Sequence, residues 1–518
     1  MWIAFIIIVV LVVLVGLGAL AYYDLTQKQH AILRNFPIIG HFRYWLEAVG
    51  PELRQYIVTD NNEERPFSRD QRRWVYASSK KQNNYFGFGT DNELEQSPNY
   101  LIIRHVAFPL HDCHEGEPGY DPSYRVPCAK IMGGHRKRDK AFRPESIVNI
   151  SAMSYGSLSH AAIEALNRGC KTAGCLHNTG EGGVSKHHMH GGELIWQLGT
   201  GYFGCRDARG DFDLAKFKHV VEQNEIRAIE IKMSQGAKPG LGGVLPSVKI
   251  THELAEIRGI PMGQDCLSPS SHSAFSDEDS LLDFVEHLAA ETGLPVGIKS
   301  AVGEIGFWQR MADLMLDGKR GVDFIAIDGG EGGTGAAPLV FSDHVAFPYK
   351  IGFTKVFAEF AKRKIDQNVV FIGSGRLGFP DAALFAIGLG ADLINVAREA
   401  MMAIGCIQAQ KCHTNHCPTG VATQNEWLVR GLDPTNKATR LANYILTLRK
   451  ELLRLSRACG VVHPALIRHE HFNILNEQFG TMGIDELFGY EQNWGLPSDD
   501  QQRDISTIMQ ELVAMQVS

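Results

Sequence analysis

The chain has 518 residues, 44% of them hydrophobic and 21% charged, with a formal net charge of −7. That composition supports a large core and excludes global disorder, and the mild acidity argues against a nucleic-acid surface, which wants a basic face. The 53 glycines make about a tenth of the chain against a norm of roughly 7%, and their clustering points to backbone that closely approaches a ligand. Ten cysteines at irregular spacing do not form a disulfide scaffold in a chain of this size.

Residues Ile3 to Tyr23 read IAFIIIVVLVVLVGLGALAYY and carry no charge before Asp24. About 20 apolar residues cross a bilayer, so residues 1–24 are expected to be a transmembrane anchor. A cleaved signal peptide is the competing reading, but it wants a basic start and a small-residue cleavage site. Tyr22 and Tyr23 stand where an interfacial aromatic anchor stands. Lys28 and Arg34 follow the run and no basic side chain precedes it, so the rule of positive flanks inside places the body in the cytoplasm, on a single-pass anchor.

Residues 25–147 lack a long periodic pattern and are expected to form an irregular, partly α+β region. From Ile147 a new rhythm begins. Short apolar runs (VNISAM, CLHNTG, IRAIEIKMS, GQDCLS, LPVGIKS, VDFIAIDGG, VVFIGSG and DLINVAR) alternate with helical stretches such as HAAIEALNRGCKTA. Eight such units in about 250 residues predict a (β/α)8 barrel, an α/β fold, over 148–405. An open doubly wound sheet is the alternative. A cysteine-bearing loop over 406–420 and a helical extension over 421–518 follow.

An active site on such a barrel lies at the carboxyl ends of the strands. Those ends hold Asp328-Gly329-Gly330-Glu331-Gly332-Gly333-Thr334-Gly335, Gly373-Ser374-Gly375-Arg376 and Ala397-Arg398. Glycine clusters on neighbouring strand ends suit a phosphate cradle of backbone N–H groups, with plain glycine turns as the bland alternative. Lys232 and Lys299 end the runs IEIK and VGIK. A fixed cation beside a phosphate cradle fits a flavin, whose reduced ring gains negative charge. Lys238, in QGAKPG, is a third lysine, suited to an anionic substrate.

Cys406, Cys412 and Cys417 follow a C-x5-C-x4-C spacing, with Pro418 after the last. Zinc sites favour closer cysteine pairs plus a fourth ligand, which His413 or His416 would have to supply. Three thiolates followed by proline favour an iron–sulfur cluster, either three-iron or four-iron with an open corner. The remaining cysteines, scattered along the chain, read as buried structural thiols. His187, His188 and His190 in SKHHMHGG read as a polar loop.

The stretches SAMSYGSLS, HNTGEGG, IKMSQGAKPGLGGVLP, DGGEGGTGAAPL and CHTNHCPTGVATQ, with Cys406 ahead of the last, resemble the FMN-binding synthase domain of the glutamate synthase family. The whole chain resembles that family's stand-alone, membrane-anchored branch. The resemblance implies FMN held by Ala152, Met153, Ser154, Asn178, Lys299, Asp328, Gly329, Gly330, Gly333, Thr334, Gly335, Gly373, Ser374, Gly375, Ala397 and Arg398. It implies a 3Fe-4S cluster on Cys406, Cys412 and Cys417, and 2-oxoglutarate bound by Lys232, Lys238 and Arg258, with Glu181 and Lys238 as catalytic residues. The implied reaction reduces 2-iminoglutarate, formed from 2-oxoglutarate and ammonia, to glutamate. Hydride would come from FMN fed through the cluster.

Two departures bear on that reading. The chain lacks the family's leading glutaminase domain, so ammonia would come from solution or from a separate glutaminase subunit. Val244 stands where the family has glutamine in the substrate pocket, which leaves open an amine substrate, as in N-methylglutamate synthesis. No G-x-G-x-x-G fingerprint follows a strand run, so the reductant is expected to be a partner protein, a ferredoxin or reductase subunit. A membrane-tethered electron-transfer subunit without substrate turnover is the remaining alternative.

Overall fold

Strands buried on both faces read as short continuous apolar runs, and here eight of them close into a parallel barrel. They are β1 (Val148–Ile150), β2 (His177–Asn178), β3 (Leu194–Leu198), β4 (Ile226–Lys232), β5 (Val296–Ser300), β6 (Phe324–Asp328), β7 (Val370–Ser374) and β8 (Leu393–Val396). Each pairs with the next in sequence, and β8 returns to β1. The computed structural model describes residues 2–27, 29–59, 64–85, 87–117, 120–476 and 480–515. It divides into two units, Met1–Arg72 and Arg73–Ser518, of which the second holds the barrel.

The eight strands are not the eight runs expected. GQDCLS supplies no barrel strand: Cys266–Leu267 pairs antiparallel with Val244–Leu245 in a small hairpin at the barrel mouth. The missing strand is β3, LIWQL, all five residues of which are buried. Its polar Gln197 interrupts the apolar run, yet its amide donates to Glu230 Oε1 on the neighbouring β4 at 2.6 Å. A buried polar side chain satisfied across the strand is compatible with a core position.

Residues 126–147, placed by sequence in the irregular region, reach the amino-terminal ends of the strands. Arg138 bonds Asp323 (2.9 Å) and Glu286 (2.6 Å), and Lys130 bonds Asp392 (3.0 Å) and the carbonyls of Asp366 and Val369. After the barrel, the 25-residue helix Pro434–Ala458 packs on helices His160–Ala173 and Pro380–Gly388, those that follow β1 and β7. It fills the outer-ring place left by the short helix Arg398–Ala403 after β8. In the first unit, Trp2–Thr26 is one helix, long and apolar enough to cross a membrane by length and composition. Helices Ala31–Asn35 and Gly40–Leu53 follow, so regular structure extends further than the proline- and polar-dotted sequence implies.

Three buried histidines make the second unit acid-sensitive. Burial pushes His177 down to about 3 and His463 to about 4, and holds His188 well below its ordinary value, helped by neighbouring His177. Their pKa values are lower folded than unfolded, so the stabilising difference is whole above the unfolded value near 6.5 and is lost as pH falls below it. Each is expected to cost about 1.4 kcal/mol per pH unit in that window. Denaturant midpoints measured between pH 7.5 and pH 5 should fall steeply, and a flat profile would contradict the assignment.

Candidate active site

The carboxyl ends of the strands gather charge. Lys232 ends β4 and Lys299 stands one residue before the end of β5, in direct register with one another, and both are buried. Two adjacent ammonium groups require counter-charges, and each has one. Lys232 donates to Glu181 Oε1 at 2.7 Å, and Lys299 lies 3.4 Å from Asp328 Oδ2. Asp328 is itself oriented: Ser374 Oγ donates to Oδ1 (2.9 Å) and the Gly236 N–H to Oδ2 (3.0 Å). Burial would lower the Lys299 ammonium, but Asp328 and Glu230 hold it above its ordinary range.

Between β4 and the helix Glu278–Thr292 the chain makes a long excursion over the mouth, and it carries Lys238 and Arg258. Lys238 is buried and donates to the Gly242 carbonyl at 2.7 Å. Arg258 donates to the Tyr155 carbonyl at 2.9 Å and lies over the Phe203 ring at 5.0 Å. Burial would raise the Glu181 carboxyl, yet Lys232, Lys238 and Arg258 together hold it below the ordinary range. Burial and then the charge of Lys232 depress Lys238. Three cations thus face one carboxylate, an excess of two positive charges in a buried cup.

Glycines let the mouth close up. Gly180 has φ +66°, and a Cβ there would lie 2.5 Å from Ser154 N, which brings the turn after β2 against the Ala152-Met153-Ser154 turn after β1. Asn178 ties this turn to β4, its amide donating to Glu230 Oε1 (2.8 Å) and its oxygen accepting from Gly180 N (3.0 Å). The loop after β6 touches three neighbours. A Cβ on Gly236 would overlap the Gly329 carbonyl, one on Gly333 would sit 2.7 Å from Arg398 Nη1, and one on Gly335 would sit 3.0 Å from the Cys412 carbonyl carbon. Gly330 N donates to Phe347 O at 2.9 Å and Gly329 N to Ser374 O at 2.8 Å. Arg398 donates to the Glu331 carbonyl. Burial lowers its guanidinium, Glu399 opposes that, and nearby Arg376 adds to it. Gly373 and Gly375, at the end of β7, pack against Tyr349, while Thr334 and Ala397 lie on the same loops as Gly333 and Arg398.

Cys406, Cys412 and Cys417 follow β8, with Cys417 buried and the others half-buried. Lys249, from the excursion, reaches beneath this loop and donates to the carbonyls of Cys412 (2.7 Å), Ala422 (3.0 Å) and Ser157 (3.4 Å). Burial and then neighbouring Cys417 push the Cys412 thiol up, and Lys249 opposes them. His188 bonds Ser185 within its own turn at 2.9 Å, and His187 faces Glu253.

Glu181, Lys232, Lys238 and Arg258 therefore share one electrostatic cluster, with Lys299 and Asp328 beside it. Sequence reasoning missed Glu230, Gln197 and Lys249. Glu230 was within reach, because it stands two residues before Lys232 and shares its face of the strand. Lys249 lies in a polar stretch with no local signal.

Residues 128–462 match the family model described as a conserved region in glutamate synthase. The chain is 36% identical over 514 residues to the glutamate synthase large subunit-like protein YerD of Bacillus subtilis (strain 168), covering 94% of this chain and 97% of that one. It is 30% identical to the glutamate synthase large subunit-like protein of Rhizobium meliloti (strain 1021), across 71% of this chain and 83% of the relative. It is also 35% identical to the archaeal glutamate synthase [NADPH] of Archaeoglobus fulgidus, across 61% of this chain and 59% of that enzyme. With the match spanning the barrel, the charged mouth and the cysteine loop alike, the chain belongs to the glutamate synthase family and is an oxidoreductase of that family's kind.

Proposed function

We propose that the protein makes glutamate by reducing the imine of 2-oxoglutarate and ammonia, with FMN on the barrel mouth and a 3Fe-4S cluster on the cysteine loop. The observation that carries this reading is the cup of Lys232, Lys238 and Arg258 around Glu181. Its excess of two positive charges complements a dicarboxylate of two negative charges. Arg258 and Lys238, held by backbone carbonyls, supply fixed donors for the carboxylates. Lys232, bonded to Glu181, keeps that carboxylate ionised and able to accept a proton from an ammonium or carbinolamine nitrogen.

The donor set fits the cofactors. Two neighbouring guanidinium groups, Arg376 and Arg398, suit a phosphate at the ends of β7 and β8. Ala152, Met153, Ser154, Asn178, Lys299, Asp328, Gly329, Gly330, Gly333, Thr334, Gly335, Gly373, Ser374, Gly375 and Ala397 would complete the FMN site. Three thiols in the C-x5-C-x4-C spacing, with Pro418 after the last, favour a cluster of several irons over a single zinc. When bound, FMN supplies two-electron hydride chemistry and the cluster one-electron transfer. Electrons would come from a partner protein, ammonia from solution or a separate glutaminase. The helix Trp2–Thr26 would hold the enzyme to a membrane, with its body in the cytoplasm.

A second reading replaces ammonia with a small amine. Val244 favours it. Its neighbour Gly243 lies against Glu181, where an added Cβ would be 3.0 Å from Oε1, so the backbone of this segment borders the cup.

The test is anaerobic purification in detergent, flavin and iron stoichiometry, then reoxidation of the reduced flavin by 2-oxoglutarate with ammonia or methylamine. One FMN, about three irons and rapid reoxidation are expected, with the faster amine naming the nitrogen donor. Correct cofactors without reoxidation by either mixture would refute the synthase reading. In Cys412→Ser, iron should be lost while the barrel and its flavin stay, and full iron content would refute the ligand set.

A further inference from the structure

Helix Gly40–Leu53 places Phe42, Trp45, Leu46, Val49 and Leu53 on one face, following the spacing of an amphipathic stripe, with Arg43 and Glu47 to the other side. In a water-soluble protein such a stripe is the buried face. Here it lies open: Phe42 is 60% exposed, Trp45 57% and Leu46 41%. The Phe42 and Trp45 rings stack with centroids 5.6 Å apart, and Phe42 and Leu46 border an open hollow that Ile32 and Phe36 also line, with Arg43 and Glu47 at its edge.

The start of this helix is tied to the end of the long apolar one. Asp24, fully buried, accepts hydrogen bonds from the Ile38 N–H and from His41 Nε2, both at 2.9 Å. It directly follows Tyr22 and Tyr23, which are exposed at the level where the apolar run ends. Aromatic residues mark the membrane–water boundary of a span. The clasp therefore holds the open stripe next to that boundary.

We propose that Gly40–Leu53 is an interfacial helix, its Phe42–Trp45–Leu46 stripe sunk into the headgroup boundary of the bilayer that holds Trp2–Thr26. The inference rests on reading Trp2–Thr26 as a membrane span. The bilayer is the occupant because the clasp makes the stripe continuous with the lipid-facing surface of that span. Large aromatic rings and a polar opposite face are what an interfacial helix needs.

The experiment uses the full chain with benzoylphenylalanine in place of Trp45, or in place of Glu47 on the polar side. Each is reconstituted into phosphatidylcholine–phosphatidylglycerol vesicles, floated on a density gradient and irradiated. Lipid adducts are expected at position 45 at a yield at least about tenfold above position 47. The same probe in place of Leu46 repeats the test should the first variant fold poorly. Chains that float but give no lipid adduct at 45 or 46 overturn the interfacial helix alone. Crosslinks between two copies in place of lipid adducts overturn it in favour of a dimer face. Chains that do not float overturn the span itself, and the interfacial helix with it.

Discussion

A Lys238→Ala variant is expected to bind 2-oxoglutarate about 100-fold more weakly than the native chain while keeping its full complement of flavin. The side chain is buried, and its ammonium is one of three cations facing Glu181. Losing one buried charged partner costs about 2–5 kcal/mol of binding, and each 1.4 kcal/mol is a factor of about ten. Lys238 also gives the affinity an alkaline limb. Burial and the charge of Lys232 depress its pKa, and only the protonated form attracts the carboxylates. Affinity should therefore decline as pH rises, beginning below the ordinary lysine value near 10.4. That limb should be absent in Lys238→Ala. Titration of flavin absorbance with 2-oxoglutarate across pH measures both effects, and unchanged affinity at neutral pH would remove Lys238 from the substrate site.

Lys249→Met should unsettle the cysteine loop without unfolding the barrel. The ammonium binds three carbonyls from three segments: Ser157 after β1, Cys412 in the cysteine loop and Ala422 beyond it. Methionine fills similar volume but leaves those carbonyls without a donor, at a cost of about 3 kcal/mol or more. Iron and acid-labile sulfide should drop together, and amide exchange across residues 406–424 should accelerate. Circular dichroism and thermal unfolding of the barrel should change little. Full iron with unaltered exchange would show that the loop holds itself.

The parts of the site legible in the sequence are those with local chemistry. Glycine clusters read as a phosphate cradle do stand at the strand ends, where Gly236 lies against Gly329 and Gly180 against Ser154 too closely for a side chain. Lysines ending apolar runs report strands whose tips face the mouth, and Lys232 and Lys299 do stand in register at the tips of neighbouring strands. What stayed hidden depends on partners distant in sequence. Strand β3 carries Gln197 within an apolar run, and its place in the core depends on Glu230, thirty-three positions away, which accepts its bond. GQDCLS reads as a short strand and is one, but its Cys266–Leu267 pairs with Val244–Leu245 outside the barrel, a partner the local sequence does not announce. Helix Gly40–Leu53 was obscured by Gly50 and Pro51, which punctuate its sequence without ending the helix.

The loop Gly329–Gly335 lies against the Lys238 loop through Gly236, against Arg398 through Gly333 and against Cys412 through Gly335. Two of these contacts are backbone against backbone, at Gly236 and Gly335, and the third meets the Arg398 side chain. On the proposed reading, this shared loop would link the occupancies of the substrate, flavin and cluster sites. Whatever factor iron adds to flavin affinity, flavin must return to iron.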